Sequence, residues 1–481
     1  MRSIPIDDTI VAISTAAGQG GIGIIRLSGK GSLKIADQIF ISKNKMKPSD
    51  FKSYTVHYGW IINKIKNQKS KIKNKGNLSA DTDADTIDEV LLTVMRAPKS
   101  YTREDIVEIS CHGSSVSLKA ILSVIVSCGA RLAEPGEFTK RAFLNGRIDL
   151  AQAEAVLDII QAKTDAFLKV SLHQLKGELT VELEAIREIL MDIYTEIEAI
   201  VNFPEDDIDA SNVKGISKKI DAACRRVEEL LKTSEHGKVL KDGIKVVLCG
   251  KPNVGKSSLL NVFLKQSRAI VTDIAGTTRD TIEETAQIKG IPLQLIDTAG
   301  ILVPRDLIEE EAVKRSRMSI ESADLVLLIL DGNRTLDEED VKLFTQVKDR
   351  NVFLVVNKCD LPQKLEKEEM ASKMNHKKIF FVSALEKKGI SELENEIVKN
   401  VWHEEAVNTR GILISNVRHI HSLQECVAGL KKARKSLTER ISLEFISEEI
   451  RSAVNCLDQI TGRDIDSDLL DKIFSSFCIG K

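Results

Sequence analysis

Leu175, Leu179, Leu183, Ile186, Leu190, Ile193, Ile197 and Ile200 recur at steps of three or four. That spacing lays one apolar stripe along a helix, and Pro204 in NFPEDDID (202 to 209) ends it. Long helices are predicted from Asp149 to Val201, and a second helical block from about Ile412 onward. Between them, residues 243 to about 400 follow a different pattern. IKVVLC, LQLID, DLVLLILD, NVFLVVN and KIFFVSA are continuous apolar runs separated by helical segments. Such runs mark strands buried on both faces, which predicts a doubly wound parallel α/β sheet. Residues 1 to about 145 mix short β-like runs with turns, among them TIVAIS, GIGIIRLSG and IDEVLLTVM. The expected organisation is an α+β region over 1–145, helices over 146–242, the α/β region over 243–401 and helices over 402–481. Each helical block carries a stripe in need of a partner, so the two are expected to pack as one discontinuous domain.

Bulk properties narrow this picture only a little. A chain of 481 residues needs more than one core. The formal charge of −2 argues against an unspecific nucleic-acid coat, though not against a local basic face. NKIKNQKSKIKNKGNLSADTDADT carries six lysines and then three aspartates around 63–80 and beyond; with little to bury, it reads as a surface insertion. The eight cysteines show no C-x-x-C pair, which favours reduced thiols in a cytoplasmic protein. No run approaches the length of a membrane span, so no membrane partner is expected.

The chemistry begins at GKPNVGKS, 250 to 257, directly after one predicted strand and before a helix. Curling backbone N–H groups around a phosphate requires turns free of Cβ, which Gly250 and Gly255 supply. Lys256 would place a point charge on the β- and γ-oxygens, Ser257 would offer its hydroxyl to Mg²⁺, and the helix start favours the anion. Asn253, Val254 and Ser258 complete the loop. In LIDTAG, Asp297 sits at a strand end, followed by Thr298, Ala299 and Gly300, whose amide would reach a γ-phosphate. VVNKCD brings Asn357, Lys358 and Asp360 after the next-but-one strand. A carboxylate at 360 accepts two hydrogen bonds from a guanine edge and stays unpaired against adenine. Ser383 and Ala384, in VSA, would supply an amide for the guanine carbonyl. Four such elements in order predict binding of GTP.

TDIAGTTRD (272 to 280), between the two phosphate elements, resembles the corresponding segment of the MnmE (TrmE) family of tRNA-modifying GTPases. DTIVAIST with GQGGIGIIRLSG, EPGEFTKRAFLNGRIDLAQAEAV and SSFCIGK are similar to the family's opening, junction and last residues, so the resemblance spans nearly the whole chain. It implies a Ras-like doubly wound P-loop G domain inserted into an all-helical domain, preceded by an α+β folate-binding domain. It further implies hydrolysis of GTP without an arginine finger, which is worth about 10³–10⁵ in rate elsewhere, and activation by K⁺. Asn253 would then be a side-chain ligand of K⁺, with oxygens from Thr272, Ile274 and Thr277. Thr278 would join Ser257 on Mg²⁺, and Asp273, Ala275 and Gly276 would border the nucleotide. The family's water-orienting glutamate falls at Glu309, with Glu310 and Glu311 adjoining it; here Ile301–Leu302 replaces the family's Leu-Arg pair and Val303–Pro304 follows.

For residues 1–145 the resemblance implies binding of a tetrahydrofolate one-carbon donor, 5-formyl- or methylene-tetrahydrofolate, and dimerisation. Arg26, Glu108, Arg147 and Lys481 match the positions that would hold it. After EIS, Cys111-His112-Gly113-Ser114 stands where the family has Gly-His-Gly-Gly. Cys478 is fourth from the last residue, the place of a prenylated cysteine, but the final lysine does not suit prenyl transfer; a thiol held near the one-carbon group fits better. The family's product is an aminomethyl or carboxymethylaminomethyl group on C5 of the wobble uridine, U34, of certain tRNAs. The family works with an FAD- and NADH-dependent MnmG-type subunit in a heterotetramer, and no flavin fingerprint occurs here. The rival expectation is a GTP-switched RNA-binding or ribosome-assembly factor, which would carry a second P-loop or a basic G-x-x-G; neither is present.

Overall fold

The structure is a computed structural model, and it describes residues 8–16, 18, 20–63, 86–202, 210–266, 283–297, 317–376, 378–402 and 411–481. The chain forms two compact units, Met1–Leu157 with Asp458–Lys481, and Asp158–Leu457. The lysine-rich segment lies outside the described residues apart from its ends, Asn63 and Thr86.

The first unit is built on a seven-stranded sheet. Its strands are β1 (Ile10–Ile13), β2 (Gly20–Ser28), β3 (Phe40–Ser42), β4 (Thr55–Ile62), β5 (Thr86–Met95), β6 (Ile106–Gly113) and β7 (Arg131–Leu132), in the spatial order β3-β4-β5-β6-β2-β1-β7. Only the β1–β7 pair is parallel. Alternation sets which face is covered: Val90, Leu92 and Val94 of β5 point inward against helices Ser32–Ile39 and Ser115–Ser127. Ser114, where the resembling family has glycine, accepts a hydrogen bond from Val116 N and so caps the second helix.

The last residues belong to this unit. Phe474 and Phe477 pack with Ala142, Ile148 and Leu150 in a small core. Gly136, with φ +67°, starts helix Glu137–Leu144 under that tail, and a Cβ there would lie 2.7 Å from Phe474 O. Gly480, with φ +93°, meets β1 as closely: a Cβ would lie 2.6 Å from Ile13 O. Glycine at both places is what lets the tail dock.

Arg141, 3% exposed, is the centre of a buried charge network. It donates to Asp8, to Glu104 at 3.2 Å and to Glu137 at 3.0 Å, while Arg131 bonds Asp8 and Glu137 at 2.7 Å each. Burial alone would raise the Glu137 carboxyl; hydrogen bonds from Arg131, the Glu134 amide and Arg141 outweigh it and hold Glu137 below its ordinary value. Asp8 behaves the same way against the two arginines.

The second unit carries a six-stranded sheet of order β13-β12-β11-β8-β10-β9. The strands are β8 (Ile244–Cys249), β9 (Glu283–Ile288), β10 (Ile291–Asp297), β11 (Leu325–Asp331), β12 (Val352–Asn357) and β13 (Ile379–Phe381). All five strands expected from the apolar runs are present and parallel; β9 is an added antiparallel edge strand. Every residue of β11 and β12 is buried, as continuous runs require. The apolar stripe divides between two helices, Asp165–Leu175 and Glu178–Asn202, because Gly177 adopts φ +88° and breaks the first. Leu179, Leu183, Ile186, Leu190, Ile193 and Ile197 of the second are buried. No helix among the described residues is long and apolar enough to cross a membrane.

Replacing Arg141 by methionine removes one cation shared by three buried or half-buried carboxylates and leaves Asp8 and Glu137 to Arg131 alone. The expected loss in unfolding free energy is about 3–5 kcal/mol at pH 7, measured by denaturant unfolding of the full chain. Because the Glu137 and Asp8 carboxyls are depressed in the folded state, their contribution is present above the ordinary carboxylate range. It is lost as pH falls below about 4. The gap between wild type and variant therefore shrinks in acid, and a gap that stayed constant down to that range would contradict the account.

Candidate functional site

Two groups of side chains, one in each unit, have the makings of a site. In the second unit, β8 leads through Gly250–Gly255 into helix Lys256–Gln266. Gly250 has φ +145° and a Cβ on it would lie 2.4 Å from Ile329 O; on Gly255, with φ +100°, it would lie 2.1 Å from Asn357 Nδ2. Both glycines are dictated by contacts as well as by backbone angle. Asn253 adopts φ +64°, a region asparagine tolerates, and its exposed side chain makes no hydrogen bond among the described residues. Val254 is buried, whereas Ser257 and Ser258 are exposed at the helix start.

The Lys256 ammonium donates to the carbonyls of Gly250 and Lys251, both at 2.9 Å. Burial holds it below its ordinary value, against the attraction of Asp297. An anion in the loop would relieve that cost. Ser257 Oγ lies 3.4 Å from Asp297 Oδ2, and the buried Asp297 Oδ1 has no hydrogen-bond partner among the described residues. A hydroxyl facing a carboxylate with one unsatisfied buried oxygen is a donor set that suits a hard divalent cation and its waters.

Asn357, 2% exposed, ties two loops together: its Nδ2 donates to Val254 O at 3.0 Å and its Oδ1 accepts from Ala384 N at 3.0 Å. Asp360 accepts from Ser383 Oγ at 2.5 Å, and that bond holds its carboxyl below the ordinary value. Ser383 is itself fixed by accepting from Glu386 N and by a bridge to Lys388. Lys358, with φ +67°, pairs through Nζ with Asp331 Oδ2 at 2.6 Å. Asn253, Val254, Gly255, Lys256, Ser257, Ser258, Asp297, Asn357, Lys358, Asp360, Ser383 and Ala384 all lie at ends of β8, β10, β12 and β13 or in the segments that follow them. In a doubly wound sheet that rim is where ligands bind. Thr272, Asp273, Ile274, Ala275, Gly276, Thr277, Thr278, Thr298, Ala299, Gly300, Glu309, Glu310 and Glu311 lie outside the described residues.

Sequence reasoning missed two supports of this loop. Asp331 ends the run LVLLILD, where its position at a strand end was the available signal. Lys251 pairs with Asp337 and, at 3.0 Å, with Asp340, the capping box of helix Glu338–Val347. Nothing local to GKPNVGKS announces a partner so far along the chain.

In the first unit, Arg26 and Glu108 are register partners on β2 and β6, and Arg26 Nε donates to Glu108 Oε1 at 2.7 Å. Arg26 lies over the Tyr101 and Phe138 rings at 5.6 and 5.7 Å, and Arg147 over Tyr101 at 4.7 Å. The tail reaches the same place: Gly480 O accepts from Ser14 Oγ at 3.2 Å and from Arg26 Nη1 at 3.4 Å. Lys481 is half-buried there and Cys478 is exposed, its carbonyl accepting from Gly136 N. Tyr101 and Phe138 were not singled out from the sequence, since a lone aromatic in a mixed stretch carries no signal. All eight cysteines are free, and burial pushes Cys111 up to about 11 and Cys249 up to about 12.

A family model described as the MnmE helical domain matches residues 150–478, and one described as the GTP-binding protein TrmE N-terminus matches residues 9–147. A protein of Desulforamulus reducens named tRNA modification GTPase MnmE is 43% identical over 477 residues, covering 99% of this chain and 100% of the relative. Its namesake in Clostridioides difficile is 42% identical over 476 residues, 99% of this chain and 100% of its own. Among solved structures, Era of Aquifex aeolicus is 28% identical, with a TM-score of 0.29, over 39% of this chain and 66% of that one.

If Asp360 reads the base, Asp360→Asn turns one of its two acceptors into a donor. Affinity for GTP relative to XTP, whose base carries a carbonyl in place of the amino group, is expected to fall on the order of 10⁴-fold. Competition of the two nucleotides for a fluorescent GDP analogue reads the ratio directly; an unchanged preference for GTP would remove Asp360 from base recognition.

Proposed function

Since the chain belongs to the MnmE family of tRNA modification GTPases, we propose that it hydrolyses GTP under activation by K⁺. It does so as part of adding an aminomethyl or carboxymethylaminomethyl group to C5 of U34 in tRNA. The observation that carries this reading is that one chain holds two built sites of unrelated chemistry. One has a glycine-turned loop that holds a half-buried lysine, with a carboxylate fixed by Ser383 on the same rim. The other has an arginine–glutamate pair beside two aromatic rings and the chain's own tail.

At the first site, the curled loop offers its N–H groups to the phosphates, and Lys256 exchanges its two carbonyl partners for phosphate oxygens. Ser257, with Asp297 behind it, fits Mg²⁺, and Thr278 is the proposed second protein ligand. Asn253 presents a neutral amide oxygen without a hydrogen-bond partner among the described residues and suits K⁺, with Thr272, Ile274 and Thr277 as the remaining donors. The two cations, when bound, supply the positive charge that an arginine finger supplies elsewhere. Glu309 is the proposed orienter of the attacking water, with Glu310 and Glu311 as alternatives.

At the second site, Glu108 can accept from a pterin edge, and Arg26, Arg147 and Lys481 can meet a glutamate tail. The ligand proposed is 5-formyl- or methylene-tetrahydrofolate, with Cys478 close to the one-carbon group. The working form proposed is a cytoplasmic homodimer joined by an FAD- and NADH-dependent MnmG-type subunit, which brings the redox chemistry. The domains proposed are 1–145, 146–242, 243–401 and 402–481.

GTP turnover in KCl should exceed that in NaCl on the order of 10²-fold, and Asn253→Ala should abolish the difference while leaving nucleotide affinity within a few-fold. Equal rates in both salts would overturn the K⁺ mechanism, and unchanged wobble nucleosides by mass spectrometry in cells lacking the protein would overturn the tRNA assignment. Glu108→Gln should weaken 5-formyltetrahydrofolate binding by about 10–100-fold in calorimetric titration, the cost of a hydrogen bond to a charged group. A variant that binds as tightly as wild type would remove Glu108 from that site.

A further inference from the structure

Helix Ala210–Lys232 buries Ile216, Ile220, Ala223, Val227 and Leu230. At about 100° per residue, these centre on one side of the helix. Lys214, Lys218, Arg225 and Lys232 fall at intervals of four, seven and seven on the side directly opposite, within an arc of roughly 40°. All four are exposed, and none makes an ion pair among the described residues. Lys232 only adds to the field that lowers the Glu228 carboxyl, behind the closer effect of Lys431. The stripe runs for about 27 Å, at 1.5 Å per residue.

All but one of the acids next to the stripe are already matched. Asp221 pairs with Arg434 at 2.7 Å and Glu228 with Lys431 at 2.7 Å, both cations coming from helix Val417–Thr438, which packs alongside. On the other flank Lys219 pairs with Glu196 and Arg226 with Glu182. Glu229 is the one exposed acid bordering the row without an ion pair among the described residues. The stripe is therefore a net positive ridge on a chain whose formal charge is −2. Ordinary surface chemistry distributes signs and pairs them; four unpaired cations in one row, with the neighbouring acids neutralised from behind, form a track for a polyanion.

We propose that the row Lys214, Lys218, Arg225 and Lys232 is a phosphate-backbone contact surface for the RNA substrate. The row rests on the reading of the chain as a tRNA-modifying enzyme and adds where the RNA lies. Its four cations carry no base-reading geometry, so they position the RNA rather than select its sequence.

The test uses the full chain and unmodified tRNA in filter binding across a salt series. In the Lys214→Gln/Lys218→Gln/Arg225→Gln/Lys232→Gln variant, affinity falls at least about tenfold and the slope of log K against log salt flattens by about 3, from up to four lost phosphate contacts. GTP turnover without RNA and the melting temperature stay as in wild type, since the side chains are exposed and outside the nucleotide site. Glu229→Gln tightens binding a few-fold and flattens nothing, which keeps the idea testable if the quadruple variant folds poorly. Lys219→Gln/Arg226→Gln, on the paired flank, leaves affinity unchanged. Equal affinity in the quadruple variant overturns the proposal, as does an equal loss in the paired-flank variant. Retained RNA binding with lost assembly onto the flavin-dependent subunit makes the ridge a protein interface and overturns it too. If the wild-type chain does not bind tRNA at all, the tRNA-modifying reading fails with it, an outcome distinct from the others.

Discussion

The nucleotide site hangs on one buried carboxamide. Asn357 is held at the end of the fully buried strand β12, so its side chain cannot move without opening the sheet. From that fixed point it donates to the carbonyl of Val254 in the phosphate loop and accepts from the amide of Ala384 in the base loop. Segments more than a hundred residues apart are thereby set at one spacing, the loop after β8 against the segment that carries Ala384. The constraint also explains a glycine: a Cβ at position 255 would occupy the place of the Asn357 amide nitrogen. An unpaired buried amide costs roughly 1–3 kcal/mol, so both loops are held by a bond that is expensive to leave unmade.

What was legible in the sequence is what depends on neighbours in the chain. Strands buried on both faces write themselves as unbroken apolar runs, and all five such runs are strands of one sheet, parallel as expected. The phosphate loop was legible for the same reason, since its glycines, lysine and serine act within eight residues. Edge strand β9 was missed because four of the six residues of EETAQI are polar, as suits a strand with one open edge. The helix break at Gly177 was hidden by an apolar stripe that continues across it, periodicity being blind to a single positive φ. Contacts between distant segments were the least legible. The fit of Gly136 under Phe474, the ion pairs from Lys251 to Asp337 and Asp340, and the rings around Arg26 each need the fold before they have meaning.

The first unit uses charge in two opposite ways, and exposure separates them. Arg141 and its carboxylates are shielded and bonded to one another; among the described residues Arg141 Nε is the network's one buried atom left without a partner, so the network has little to offer a ligand. Arg26 and Glu108 make one mutual hydrogen bond and, among the described residues, leave the second carboxylate oxygen and part of the guanidinium uncommitted, beside aromatic faces and a backbone carbonyl of the tail. A pair that is aligned but unsaturated is one that binding can complete. The docked tail matters to it directly, because Gly480 positions one of the acceptors and reaches β1 only through the absence of a side chain.

The phosphate loop resolves a related conflict. Lys256 must be charged to meet phosphate, yet burial disfavours that charge when no phosphate is present. The carbonyls of Gly250 and Lys251 satisfy the ammonium in the meantime, and they belong to the same turn that must later curl around the ligand. Such a lysine would pull its own loop shut unless the loop were braced from outside. Lys251 provides that brace: its ammonium is gripped by Asp337 and Asp340, and Asp337 is locked by its capping bonds to the amides of Glu339 and Asp340. The side chain of one lysine thus holds still the carbonyl that the other lysine leans on. The loop can exchange a protein partner for a phosphate without first having to reopen.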